Sequence, residues 1–353
     1  MVTIGVTRPT APRGPPSTLP EASVRSPFRL AVTAALTASM TAAVCGGPAR
    51  AAEPALTDLT FGGVHNAYDR AAYPYLVDAL DAGNRMIEID LWTFFGQWTV
   101  SHSNPFWSDN NCEKGATAGE LRDSARNQQF THCLDNVRAW HEANPGHELL
   151  VLKLEMKDGF HDNRGRGPDE LDAVLRDRFG DAMLTPADLT GGHATPDAAA
   201  RAGAWPADHR GRIMAYVIRG TAENDSLPTE VEYARHLRDH PADAQVFPVP
   251  RGGYGAADPR QAYEESLRPW FVVFDGGAAS FAGLPAERRA FYGDYFTAVT
   301  SAHEVAPALD PVNPPADQAL ARTRALGCLG ATVVSSDWRR VPGWQGPHAR
   351  TGC

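Results

Sequence analysis

Short apolar runs rich in Val, Ile and aromatic residues recur between stretches of helical periodicity, and that alternation restricts the chain to α/β architectures. The runs predict strands at Leu59 to Val64, Met86 to Trp92, Trp98 to His102, Leu149 to Glu155, Ile213 to Arg219, Trp270 to Asp275, Tyr295 to Thr300 and Ala331 to Asp337. Between them, Tyr75 to Ala82 places Leu76, Val77 and Leu80 at helical spacing and stops at Gly83. Asp169 to Phe179 repeats the pattern before Gly180, and Ala316 to Leu326 before Gly327. Eight strands in about 300 residues match the size of a (β/α)8 TIM barrel with insertions. One irregularity is expected: five residues separate Trp92 from Trp98, whereas a parallel crossover takes about a dozen or more. Trp98 to His102 therefore reads as a hairpin arm or as the site of an irregular barrel. The Pro- and Gly-rich stretches Gly191 to Pro206 and Pro241 to Asp258 read as surface insertions, and no repeat or linker marks a second domain.

The barrel is expected to occupy residues 52–353. Arg25 and Arg29 precede an apolar stretch from Leu30 to Val44 that ends at Ala49-Arg50-Ala51, the basic, apolar and small-residue order of a secretory signal. Removing residues 1–51 leaves 28 basic and 41 acidic side chains, a balance of −13. That balance argues against an electrostatic grip on nucleic acid, and favours the holding of hard cations by carboxylates. No later apolar run approaches the roughly 18–20 residues of a membrane span, so the mature protein is expected to be soluble, and the signal makes it a secreted, extracellular one; a monomer is expected. Cys45 leaves with the signal. Cys112, Cys133, Cys328 and Cys353 remain, an even number suited to two disulfides outside the cell. Three pairings are open, of which the nearest-neighbour one joins Cys112 to Cys133 and Cys328 to Cys353.

Chemistry concentrates between His65 and Glu155. His65 and Asn66 follow the first strand, where a barrel presents its catalytic face. Glu88 and Asp90 stand at i and i+2 of a strand and project from one side, into a barrel interior where unpaired carboxylates are costly. His102 ends the third run, and Lys153-Leu154-Glu155 ends the fourth. An Asn carbonyl and three carboxylates form an all-oxygen set that suits Ca²⁺ better than Zn²⁺. Two imidazoles beside it are fit for acid and base work near neutral pH.

His65-Asn66-Ala67-Tyr68, Glu88-Ile89-Asp90-Leu91-Trp92, Val100-Ser101-His102 and Lys153-Leu154-Glu155 resemble the H-N-[ST]-Y, E-[IL]-D-x-W, V-x-H and K-x-E signatures of the phosphoinositide-specific phospholipase C superfamily. The likeness is greatest to its secreted, Ca²⁺-dependent bacterial branch, and Ser335-Ser336-Asp337-Trp338 extends it more loosely. Ala67 departs from the usual Ser or Thr. The resemblance implies a TIM barrel that cleaves phosphatidylinositol to diacylglycerol and a cyclic inositol phosphate. It implies Asn66, Glu88, Asp90 and Glu155 as Ca²⁺ ligands, Glu88 or Glu155 as base, His65 as stabiliser of the phosphorane and His102 as acid.

Only three lysines occur, and Lys153 and Lys157 bracket Glu155, a placement that suggests contacts to phosphate or inositol. Arg219 and Asp275, at later strand ends, are candidates for inositol hydroxyls. Phe94, Phe95, Trp98, Phe106 and Trp107 surround His102 and suggest an apolar rim for transient contact with a membrane surface. The nearest rival is a glycerophosphodiester phosphodiesterase, which carries H-R-G where this chain has His65-Asn66-Ala67; a sphingomyelinase-D-like enzyme lies further off. A non-catalytic, Ca²⁺-dependent binder of inositol lipids or glycans is the rival from another class.

Overall fold

The protein is described here by a computed structural model covering residues 54–255, 258–350 and 353. The signal-like segment 1–51, with Cys45, lies outside the described residues. The strands are β1 (Leu59–Val64), β2 (Met86–Phe94), β3 (Gln97–Val100), β4 (Leu150–Met156), β5 (Ile213–Arg219), β6 (Val246–Pro248), β7 (Val273–Gly277), β8 (Phe296–Thr300), β9 (Val333–Ser336) and β10 (His348–Ala349). Eight of them form one hydrogen-bonded path, β6-β5-β4-β2-β1-β9-β8-β7, with every step parallel. The result is a nearly closed TIM-like barrel, its opening between β6 and β7.

Of two strand expectations, one is met in the first of its two forms and one is corrected. The Trp98 run is a hairpin arm: β3 pairs antiparallel with β2, Leu91 against Val100 and Phe94 against Gln97. The missing barrel strand is β6, three residues within the stretch read as an insertion. It escapes the periodic pattern because prolines 248 and 250 cut the run short. Helices Leu76–Asp81, Phe130–Ala143, Pro168–Phe179, Thr229–Asp239 and Ala316–Cys328 pack outside the sheet. The last continues through Gly327 rather than stopping there. A Cβ on Gly327 would lie 2.4 Å from Thr60 Oγ1, so this glycine permits close packing of the helix on β1.

Strand alternation separates two layers. Ile87, Ile89 and Leu91 of β2, with Leu150, Leu152 and Leu154 of β4, face the helices and pack with Leu80, Leu134 and Leu175. Met86 and Val151 point the other way and join Phe61, Met214, Tyr216 and Phe247 in the barrel interior. Further along the same inward rows come Glu88, Asp90, Lys153 and Glu155. The polar groups thus sit above an apolar floor, towards the C-terminal strand ends. Cys112–Cys133 and Cys328–Cys353 are the disulfides, the nearest-neighbour pairing. No helix among the described residues is long and apolar enough to cross a membrane.

Candidate active site

Register brings the inward carboxylates together. Glu88 pairs across the sheet with Lys153, and Asp90 with Glu155. Ligand oxygens of Glu88, Asp90 and Glu155 all lie within 4.8 Å of one another. Asn66 stands beside them in the loop after β1. It adopts a left-handed backbone, φ 51°, a region that Asn tolerates better than most residues. Its backbone N–H points at Glu88 Oε2 (3.3 Å), and its side-chain carbonyl accepts from Tyr68 Oη (2.9 Å).

Both lysines are buried and paired. Lys153 Nζ lies 3.2 Å from Glu88 Oε1 and 3.1 Å from Asp275 Oδ2; Lys157 Nζ lies 2.9 Å from Glu155 Oε1 and 3.3 Å from Asp90 Oδ2. Burial would raise Glu88, but Lys153 and His65 outweigh it and hold its carboxyl below the ordinary range. Asp90 is raised, first by burial and then by repulsion from Glu88 and Glu155. Burial raises Asp275 as well, against Lys153 and the Tyr216 hydroxyl at 2.8 Å.

Two imidazoles flank the carboxylates, their ring centres 6.5 Å apart and edge to face. Each has its own carboxylate at Nδ1: Asp337 Oδ1 at 3.3 Å for His65 and Asp90 Oδ2 at 3.2 Å for His102. A carboxylate at Nδ1 orients each ring, and at His65 it also stabilises the charged form. For His65 burial acts the other way, yet Asp337 and Glu88 outweigh it and raise the pKa. Asn110 and Asn111 brace this arrangement. Asn111 Nδ2 donates to the Ala67 and Tyr73 carbonyls, both at 2.9 Å, and Asn110 Nδ2 donates to the Val100 carbonyl at 3.2 Å.

The structure therefore assembles His65, Asn66, Glu88, Asp90, His102, Lys153, Glu155 and Lys157 at one mouth. Asp275 is near, but both its oxygens are occupied by Lys153 and Tyr216. Arg219 is not brought in: its Nε pairs with Glu223 Oε1 at 2.8 Å. The aromatic expectation divides. Phe95, Phe106 and Trp107 are exposed, with Phe94 and Phe106 rings 4.4 Å apart, whereas Trp98 is buried against Phe130. Asp337, His303, Asn110 and Asn111 were not assigned roles by sequence. Only Asp337 had a local signal, in the Ser-Ser-Asp-Trp run.

A hard divalent cation fits the donor set. Glu88, Asp90, Glu155 and Asp275 face Lys153 and Lys157, four carboxylates against two ammonium groups, which leaves two negative charges. Asp90 Oδ1 is buried without a hydrogen-bond partner, and such an atom is costly unless something binds it. The oxygens are of the type Ca²⁺ prefers.

A family model described as phosphoinositide phospholipase C, Ca²⁺-dependent, matches residues 119–240. A Ca²⁺-dependent phosphatidylinositol-specific phospholipase C from Streptomyces antibioticus is 45% identical, with a TM-score of 0.78. That match covers 82% of this chain and 96% of the other. A calcium-dependent phosphoinositol-specific phospholipase C from Pseudomonas sp., described as a myoinositol complex, is 20% identical with a TM-score of 0.60, covering 82% of this chain and 92% of that one; it shares the fold. Comparison with curated proteins gives no match.

Proposed function

From the premise that this chain belongs to the Ca²⁺-dependent phosphoinositide phospholipase C family, and is an enzyme of that type, we propose that His65, His102 and the carboxylates between them cleave the glycerol side of the inositol phosphodiester. The observation that carries this reading is the triangle of Glu88, Asp90 and Glu155 oxygens between two imidazoles, each with a carboxylate behind it. Asn66, Glu88, Asp90 and Glu155 hold the metal. Ca²⁺, when bound there, offsets charge on a phosphoryl oxygen and eases ionisation of the inositol 2-hydroxyl.

The remaining steps belong to the side chains. Glu88 or Glu155 takes the proton from the 2-hydroxyl as its oxygen attacks phosphorus. His65, held charged by Asp337, donates to a phosphorane oxygen and stabilises the developing charge. His102, held at Nδ1 by Asp90, gives its Nε2 proton to the departing glycerol oxygen as the phosphorus–oxygen bond breaks. The products are diacylglycerol and a cyclic inositol phosphate; His102, then neutral, is placed to take a proton from the water that opens the ring. Lys153 uses two of its three N–H groups on carboxylates, and the third remains for a substrate oxygen.

Exposed Phe95, Phe106 and Trp107 support transient contact with a lipid surface. The signal-like residues 1–51 and the two disulfides support export, and the enzyme acts outside the cell as a monomer. The test is release of water-soluble inositol phosphate from phosphatidylinositol vesicles, followed by ³¹P NMR with Ca²⁺ and with excess chelator. Ca²⁺-dependent appearance of a cyclic product, lost in His65→Ala and His102→Ala, is expected. Turnover of glycerophosphodiesters alone would transfer the chain to a glycerophosphodiesterase reaction, and binding without turnover would make it a lipid-binding protein.

A further inference from the structure

A cleft of about 210 Å³ is lined by His65 and Glu88 but not by His102. Its walls include Lys153, Glu155, Ser301, His303, Ser336 and Asp337. Within it, His303 has no part in the acid and base chemistry derived above, and three features of the backbone and side chain set it there.

First, the chain leaves β8 through Ser301 in a left-handed conformation, φ 54° and ψ 47°. A non-glycine residue at such angles carries local strain, and strain of this kind persists only where surrounding structure holds it. Second, that holding is visible. Arg322, on the helix Ala316–Cys328, donates to the carbonyls of Ala302 (2.8 Å), Val305 (2.6 Å) and Pro307 (2.6 Å), and so staples the loop on both sides of His303. Third, one ring nitrogen is used and the other is not. His303 Nδ1 lies 2.9 Å from Ser336 Oγ, which fixes the ring plane. Nε2 has no hydrogen-bond partner among the described residues, since Glu304 Oε1 at 4.0 Å is beyond reach.

Resting on the reading of the substrate as an inositol phosphodiester, we propose that His303 is a specificity-determining residue, its Nε2 hydrogen-bonding a ring hydroxyl of the cyclitol. The tautomer is open to either sense: Ser336 Oγ can donate to Nδ1 and leave Nε2 as a donor, or accept from Nδ1–H and leave Nε2 as an acceptor. A hydroxyl group is both, so it matches the free nitrogen in either state. A site that offers a polar atom to a substrate hydroxyl discriminates strongly against a ligand lacking it, because the atom is then left unpaired. His303 touches neither His102 nor the leaving-group side, so it acts on recognition of the ring rather than on departure of the glycerol.

The test uses the full chain with Ca²⁺ present and two readouts: steady-state cleavage of glycerophosphoinositol, and inhibition of that cleavage by free myo-inositol. For His303→Ala the expected result is a rise of about tenfold in KM, and in the inhibition constant for myo-inositol, with kcat within about threefold of the parent. His303→Gln, which restores a donor and an acceptor of similar reach, recovers most of both. Ca²⁺ affinity and melting temperature stay within error of the parent in the Gln variant, which separates recognition from folding. Parent-like KM and inhibition in His303→Ala overturn the assignment of His303 while leaving the proposed reaction standing. A parent that releases no inositol phosphate from phosphatidylinositol vesicles overturns the proposed reaction itself, and this inference with it; a parent that cleaves vesicles but not the soluble diester is compared with the variants by KM and myo-inositol inhibition on vesicles, where parent-like values in His303→Ala again overturn the assignment.

Discussion

Replacing Lys153 with Met removes the charge that lies between Glu88 and Asp275, and the structure sets the size of the effect. The ammonium is buried and approaches both carboxylates to about hydrogen-bond distance, 3.2 and 3.1 Å. Methionine fills similar volume, so the change is chiefly electrical. Breaking a buried pair by removing one partner costs about 3–5 kcal/mol. At about 2 °C per kcal/mol for a domain of this size, that is a fall of about 6–10 °C in Tm. The fall should depend on Ca²⁺. Glu88 belongs to the oxygen set fit for the cation, and its attraction for a divalent ion is no longer opposed by the ammonium once Lys153 is gone. A site held at a hundred times its Kd stabilises the fold by about 2.7 kcal/mol. Because the variant binds Ca²⁺ more tightly, a given concentration raises its Tm by more than it raises the parent's. The pH sign follows from the same charges. In the variant Glu88 and Asp275 carry folded pKa values raised above their unfolded ones; their penalty is felt above those values and fades as pH falls through them. The gap between variant and parent therefore narrows from pH 8 to pH 5. Differential scanning calorimetry in EDTA, in Ca²⁺ and at both pH values measures all of this. A loss under about 1 kcal/mol in EDTA, or an equal loss with and without Ca²⁺ while the parent responds to the ion, refutes the reasoning.

Three other outcomes are expected. Phe95→Ser with Phe106→Ser removes two exposed rings from the rim, and binding to phosphatidylinositol vesicles in sedimentation assays should weaken at least about tenfold. Cleavage of soluble glycerophosphoinositol by that variant should stay within about twofold of the parent. A Cβ at position 220 would fall 2.3 Å from the Met156 carbonyl and 2.4 Å from Lys157 Cα, so Gly220→Ala forces apart the β4 and β5 ends that hold Lys157. Its kcat/KM should drop at least about tenfold, and parent-like kinetics would show that Lys157 tolerates displacement. His236 lies 2.7 Å from Asp172 and 3.0 Å from Asp169; burial lowers its pKa, but these carboxylates outweigh that and raise it. Its stabilisation, about 1–2 kcal/mol, is complete below the unfolded value of about 6.5 and disappears as pH rises through the folded one. The Tm difference between parent and His236→Asn should accordingly be larger at pH 5.5 than at pH 8.5, and a pH-independent difference would rule out the charged clamp.

What the sequence made legible was whatever local geometry decides. Glu88 and Asp90 share a face because side chains alternate along a strand, and the same rule sets Lys153 beside Glu155 on the neighbouring one. His65 and His102 could be placed because residues just past strand ends reach the mouth of a barrel. The disulfide cysteines were legible as an even set, with only their pairing left open. What stayed hidden depends on which distant segments become neighbours. Asp337 is 272 residues from His65, and no spacing rule connects them. Strand β6 is three residues bounded by proline, too short to show a period. Arg219 illustrates the converse: a strand-end cation is available to substrate only if no carboxylate lies within its own reach, and Glu223, four residues on, does.

The lysines carry that lesson furthest. Position alone pointed Lys153 and Lys157 at the substrate, but Lys153 on β4 pairs with Glu88 of β2 and Asp275 of β7, and Lys157 just past β4 pairs with Asp90 and Glu155, all deep enough that an unpaired ammonium would be as costly as an unpaired acid. Burial thus makes the pairing obligatory. Two lysines against four carboxylates still leave the deficit that a divalent cation removes. Adding a third buried cation to this cluster, for instance through Tyr216→Lys, would halve that deficit and should weaken Ca²⁺ binding while leaving its ligands in place. Retention of parent-like Ca²⁺ affinity in a folded variant of that kind would show that ligand geometry, rather than the charge deficit, governs binding.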